Sequence, residues 1–157
     1  MRVELIEPFL RAAYSVLESL VQDTPERGAL AIRETTFTTQ QVTIVAGVNG
    51  DVEGTVLYGM SLITAQKIAS GMMGMPLKEM DDMAWSAISE LGNIITGNAV
   101  NLIHQSGFTC DITPPSILRG MNMQVSTHVP ALVVPMITKF GRLEINVALS
   151  EALAKAA

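Results

Sequence analysis

Ile6, Phe9, Leu10, Ala13, Leu17 and Leu20 recur three or four residues apart, with Glu7, Arg11 and Glu18 turned away from them. That period predicts an amphipathic helix from about 4 to 22, with Pro8 tolerable only because it falls near the first turn. Asp23-Thr24-Pro25 ends it, and alternation of apolar and polar residues takes over. Leu30 to Thr39 reads as one strand, Gln41 to Val48 as a second and Val52 to Tyr58 as a third. Between the last two lies Asn49-Gly50, a dipeptide favoured in type I′ hairpins because both residues tolerate positive φ.

The second half returns to the helical period. Ser61 can cap a short helix carrying Ala65, Ile68, Ala69, Met72 and Met73, which Gly74 and Pro76 terminate. Asp81 or Asp82 then opens the longest element, running to about Gln105 and roughly 37 Å long at 1.5 Å per residue. Phe108 to Thr113, Gln124 to Val129, Leu132 to Phe140 and Leu143 to Leu149 are strand-like, broken by Pro114-Pro115 and turned at Gly141. Helix followed by strands thus occurs twice, compatible with a diverged duplication that has left no obvious sequence repeat. The order implies an α+β fold: an antiparallel sheet with two long helices packed on one side, within one domain covering 1–157.

Composition narrows the chemistry. With 157 residues, 48% of them apolar and 16% charged, the chain can bury a sizeable core. Only 4% are aromatic and the net charge is −5 without a cluster of Lys or Arg, so neither base stacking nor phosphate neutralisation favours a nucleic-acid partner. A lone cysteine, Cys110, with His104 and His128 lacks the spacing of a zinc site, and no structural metal is expected. Cys110 is expected to be buried and inert, His104 a plain surface histidine. Acids in the first eight residues and interruptions in every apolar stretch leave neither a signal peptide nor a membrane span, which implies a cytoplasmic protein.

On the long helix Ala84, Ala87, Ile88, Leu91, Ile95, Ala99 and Leu102 form the buried face. At about 100° per residue, Ser86, Glu90, Asn93, Gly97, Asn101 and His104 fall in one narrow stripe facing away from it. Glu90 and Asn93, at i and i+3, have Cβ atoms about 5–6 Å apart. An ordinary solvated face would account for polar residues here. Asn93, Asn98 and Asn101 nevertheless sit inside a helix that Asn disfavours, and Gly92 and Gly97 each cost about 1 kcal/mol relative to Ala. Gly97 either packs against a neighbouring strand or leaves room for another protein's backbone.

Glu90-Leu91-Gly92-Asn93-Ile94-Ile95-Thr96-Gly97-Asn98-Ala99, preceded by Ser86 and followed by Pro114-Pro115-Ser116-Ile117, resembles the active-site signature of the CheC/CheX/FliY chemotaxis phosphatases. Glu7-Pro8-Phe9, Gly50-Asp51-Val52-Glu53-Gly54, Gly71-Met72-Met73-Gly74 and Pro135-Met136-Ile137-Thr138-Lys139-Phe140-Gly141 are similar to the CheX branch, so the likeness spans nearly the whole chain. CheC-type members carry two Glu-x-x-Asn motifs, one on each long helix. Here Glu18 is followed by Val21 three positions later, leaving one motif, which is the CheX-like arrangement.

The resemblance implies a phosphatase for the aspartyl phosphate of a CheY-like receiver domain. Asn93 would position the attacking water, Glu90 would dock to the receiver's lysine, and Ser86, Gly97 and Asn101 would line the partner surface. It further implies a homodimer joined through sheet edges, with Mg²⁺ supplied by the receiver and no cofactor bound by this chain. A non-catalytic receiver-binding adaptor and a flagellar-switch-like structural module are the alternative readings.

Overall fold

The computed structural model describes residues 3–22 and 24–152. Asp23, expected to help end the first helix, lies outside them. Helix α1 (Val3–Val21) closes at Gln22, whose φ of 52° is the left-handed conformation that stops a helix. A short strand that alternation did not reveal, β1 (Glu26–Arg27), follows, and then two strands, β2 (Ala31–Arg33) and β3 (Thr36–Thr38), where one was expected from Leu30 to Thr39. The break has a topological cause. β1 and β2 pair with β9 (Ala131–Thr138) at the sheet edge, whereas β3 leaves to pair with β8 (Gln124–Ser126) as a separate two-stranded ribbon.

The central hairpin is built from β4 (Val42–Gly50) and β5 (Val52–Met60), but not by a type I′ turn at Asn49-Gly50. A type I′ turn needs positive φ at both central residues, and of the two only Gly50 has it, at 124°. Asn49 and Gly50 instead continue β4, pairing with Asp111 and Cys110 of β6 (Cys110–Ile112). The chain reverses around Asp51. Its backbone N–H donates to Thr109 O at 2.8 Å, and its Oδ2 accepts from the Thr109 N–H at 2.8 Å.

Helix α2 (Leu62–Met73) begins at Ser61, whose side chain accepts from the Thr64 N–H, and ends at the left-handed Gly74. Helix α3 (Asp82–Gln105) is capped in the same way by Asp81, whose carboxylate accepts from the Ala84 N–H at 2.8 Å. Beyond β6 and the Pro114-Pro115 interruption, β7 (Ser116–Arg119) is a further short strand that alternation did not reveal. β9 and β10 (Gly141–Glu151) form the last hairpin, with Gly141 at its foot at φ 125° as expected of a turn.

The main sheet runs β1-β9-β10-β5-β4-β6, with β2 sharing the β9 edge and β7 sharing the β4 edge, and every pairing is antiparallel. Register aligns Ile117, Ile44, Tyr58, Ile145 and Val134 in one row across five strands. Those residues share one face, where side chains at alternate positions meet the helices. The long helices α1 and α3 pack on each other over that face, with α2 beside them.

The opposite face carries a charged cluster that the sequence reading missed. Arg33 donates to Glu144 Oε2 at 2.7 Å and to Asn146 Oδ1 at 3.0 Å, and Arg142 donates to Glu144 Oε1 at 3.0 Å. Asn146 in turn donates to Leu57 O at 3.2 Å. Glu144 and Asn146 are buried beneath the β2–β3 segment. The available signal was the alternation Arg142-x-Glu144-x-Asn146 within an apolar strand, a polar row on one face.

Candidate functional site

Two contacts fix α3 on the sheet. Gly92 is buried so closely on Ile44 that a Cβ there would stand 2.6 Å from Ile44 Cγ2, so only glycine permits this approach of helix to strand. One turn on, the buried Thr96 hydroxyl donates to Gly92 O at 2.7 Å and lies 2.6 Å from Tyr58 Oη. With that hydrogen committed, the phenol donates to Thr96. Burial pushes the Tyr58 pKa well above its ordinary value, so the hydroxyl stays a neutral donor. Trp85, near the start of α3, is covered by the Arg119 guanidinium 4.4 Å from its ring centroid, which ties the helix to β7.

With Gly92 and Thr96 facing inward, helical geometry turns the opposite stripe outward. Ser86, Glu90 and Asn101 are exposed; Asn93 and Gly97 are half-buried. The five expected site residues are therefore on one open face. Among the described residues neither the Glu90 carboxylate nor the Asn93 carboxamide takes part in a hydrogen bond or ion pair. An acceptor-only carboxylate and a neutral group that both donates and accepts thus stand side by side, available to a partner.

Gly97 separates the two readings left open by sequence. The nearest atom to a Cβ built there is Ile112 Cδ1 at 3.9 Å, ordinary contact distance. Internal packing does not require glycine at 97 as it does at 92. Ile112 closes β6 two residues before Pro114-Pro115, which places the start of the double-proline segment beside the stripe.

His104 is exposed on the same helix, but its ring is engaged. Nε2 lies 2.8 Å from Cys110 O and 3.2 Å from Cys110 N, linking the end of α3 to β6. Its role is structural, which periodicity alone did not reveal. The Cys110 thiol is buried, and burial, with the charges of Asp111 and Asp51 behind it, raises its pKa and suppresses thiolate chemistry. Among the described residues no group of three His, Cys, Asp or Glu side chains could hold a metal ion. No helix among them is long and apolar enough to cross a membrane.

Residues 42–137, which include the hairpin, α3 and the double-proline segment, match the family described as chemotaxis phosphatase CheX. The chain is 28% identical over 137 residues to the CheY-P phosphatase CheX of Thermotoga maritima, covering 87% of this chain and 88% of that one. It is 34% identical, with a TM-score of 0.82, to the CheX solved in a complex with CheY, BeF3 and Mg²⁺ from Borrelia burgdorferi, covering 96% of this chain and 100% of that one. The chemotaxis protein CheX from Desulfovibrio desulfuricans shares the fold at a TM-score of 0.83 and 21% identity, over 96% and 100% of the two chains. A fold with α3 anchored over the sheet, one Glu-x-x-Asn stripe turned outward and a family match across that region lead to one assignment: the chain belongs to the CheX chemotaxis phosphatase family.

Proposed function

We propose that this protein hydrolyses the aspartyl phosphate of a CheY-like receiver domain, with Asn93 positioning the attacking water and Glu90 docking the receiver. The observation that carries this reading is the pairing of a rigid helix back with an uncommitted front. Gly92, Thr96 and Tyr58 hold α3 in place, while Glu90 and Asn93 one side-chain width apart satisfy nothing within the described residues.

The chemistry asks little of the enzyme. Water oxygen bonds to phosphorus as the bond from phosphorus to the aspartyl oxygen breaks, yielding a carboxylate, inorganic phosphate and a proton released to solvent. A carboxylate is a good leaving group, so no strong general acid is needed, and a loose transition state demands chiefly a water held in line. The Asn93 amide does not titrate; its oxygen accepts from that water while its nitrogen donates, fixing orientation without proton transfer. Glu90 pairs with the receiver's active-site lysine by a charge-assisted hydrogen bond and so directs Asn93 into the phosphorylated pocket. Ser86, Gly97 and Asn101 extend the docking line, with Gly97 admitting close approach of the partner backbone.

Mg²⁺ belongs to the receiver, whose own carboxylates hold it beside the phosphoryl group. The Borrelia burgdorferi relative was solved with CheY, BeF3 and Mg²⁺ together, which supports that division. The reaction is placed in the cytoplasm, where receivers of two-component systems work. The test is decay of a phosphorylated receiver with and without the protein. Accelerated phosphate release supports a phosphatase; tight binding with unchanged decay would make it an adaptor.

A further inference from the structure

Trp85, Ser89, Asn93 and Gly97 follow one another at intervals of four along α3, and all four are half-buried, in contrast to the exposed Ser86 and Glu90. Four residues turn about 40° more than a full circle, so this line winds slowly from the sheet side of the helix to its open face. Its two ends are fixed against the edge of the main sheet. Trp85 stacks under Arg119 of β7 at 4.4 Å, and Gly97 stands opposite Ile112 of β6. Between these anchors β7 places Ile117 beside Ile44, the residue on which Gly92 rests. Ser89 and Asn93 therefore lie along the seam between α3 and the β6–β7 edge. Glu90, about 60° further round the helix than Asn93, faces open solvent.

The Ser89 hydroxyl is uncommitted. Ser70 and Thr96, likewise withdrawn from solvent on their helices, each donate the hydroxyl hydrogen to the carbonyl one turn back, to Gln66 O at 2.8 Å and to Gly92 O at 2.7 Å. Ser89 takes part in no hydrogen bond among the described residues. Side chains on a helix lean toward its N-terminus, so the Asn93 carboxamide leans back over Ser89. The two Cβ atoms, at i and i+4, are about 5–6 Å apart, which leaves room for one water between the polar groups they carry.

A water attacking in line turns a lone pair toward phosphorus and has two hydrogens to place. Asn93 Oδ1 accepts one of them. With no acceptor for the other, the water still rotates about that single bond, and lost orientation costs rate. We propose that Ser89 is a further catalytic residue, its Oγ accepting the second hydrogen of the attacking water, so that the nucleophile is held at two points. This rests on the reading of Asn93 as the group that positions that water. Ser89 takes no proton, because an alcohol oxygen is far too weak a base. As the water oxygen bonds to phosphorus and the bond from phosphorus to the aspartyl oxygen breaks, the proton is released to solvent.

The experiment is saturation kinetics of Ser89→Ala, Asn93→Ala and the double variant on a receiver domain phosphorylated by acetyl phosphate, with binding to the same receiver loaded with beryllofluoride and Mg²⁺ measured in parallel. Ser89→Ala folds as wild type does, since Ala is the better helix former, and keeps the wild-type affinity for the beryllofluoride-loaded receiver. It loses about tenfold in kcat, the scale of one hydrogen bond to the reacting water. Adding Ser89→Ala to Asn93→Ala slows turnover by no more than about twofold further, because two groups that hold one water fail together, whereas independent groups multiply their losses. A kcat for Ser89→Ala within about twofold of wild type, a drop in receiver affinity as large as the drop in turnover, or a full further tenfold in the double variant would each overturn the assignment. Asn93→Ala alone keeps the two readings apart. Undiminished turnover there rejects the catalytic stripe altogether, whereas an impaired Asn93→Ala beside an unimpaired Ser89→Ala rejects only the role of Ser89.

Discussion

Gly92 and Gly97 occupy the same helix five residues apart, and their surroundings assign them opposite purposes. A methyl group at 92 would press on Ile44 at 2.6 Å, whereas at 97 it meets only Ile112 at 3.9 Å. Gly92→Ala should therefore lower stability by about 1–3 kcal/mol, the scale of overpacking a close core contact. Gly97→Leu should melt at or above the wild-type temperature, because any residue but proline is a better helix former than glycine, yet lose receiver dephosphorylation. Thermal melts and phosphate release on both variants check this; an active Gly97→Leu would show that no partner approaches there. The stripe itself was legible because helical period depends only on residue spacing. What Gly97 faces was not, since that depends on where β6 arrives, and neither was the engagement of His104 by Cys110.

At the scale of elements, caps were the most readable features: Ser61, Asp81 and Gly74 all do what their side chains suggest locally. The hairpin failed at Asn49-Gly50 for a non-local reason, since pairing with β6 keeps both residues in β4 and moves the reversal to Asp51. The strand expected from Leu30 to Thr39 likewise divides because its two ends serve different sheets. The junction of α3 with β5 carries a pH signature. Buried Tyr58 stays neutral in the folded chain, while an unfolded tyrosine ionises near pH 10. Its folded pKa is raised, so its contribution is complete below about pH 10 and is lost as pH climbs beyond that. Tyr58→Phe should cost about 0.5–1.5 kcal/mol at neutral pH, the net value of one hydrogen bond, and should lose less stability between pH 9 and 11 than wild type. Denaturant titrations across that range decide it; parallel losses in both proteins would place the alkaline sensitivity elsewhere.

Taken as a whole molecule, the α+β arrangement followed from the order of elements, but which strands form the edges did not, because pairing across the sheet is set by contacts far apart in sequence. One edge is built from β1 and β2, where Ile32 is 77% and Leu30 47% exposed. Apolar side chains on an unpaired edge favour addition of another strand, and a second copy supplies one symmetrically. Light scattering should give twice the 16.8 kDa chain mass at micromolar concentration, and Ile32→Lys should shift it to monomer. A wild-type monomer would contradict the dimer, and an unshifted Ile32→Lys dimer would move the interface to another surface. The central claim is tested most directly by the turnover of a phosphorylated receiver with Asn93→Ala. The account predicts that this variant folds normally, still binds the beryllofluoride-loaded receiver, and loses about 100-fold in kcat, or ~2.7 kcal/mol in the barrier. Dephosphorylation by Asn93→Ala at the wild-type rate would contradict it.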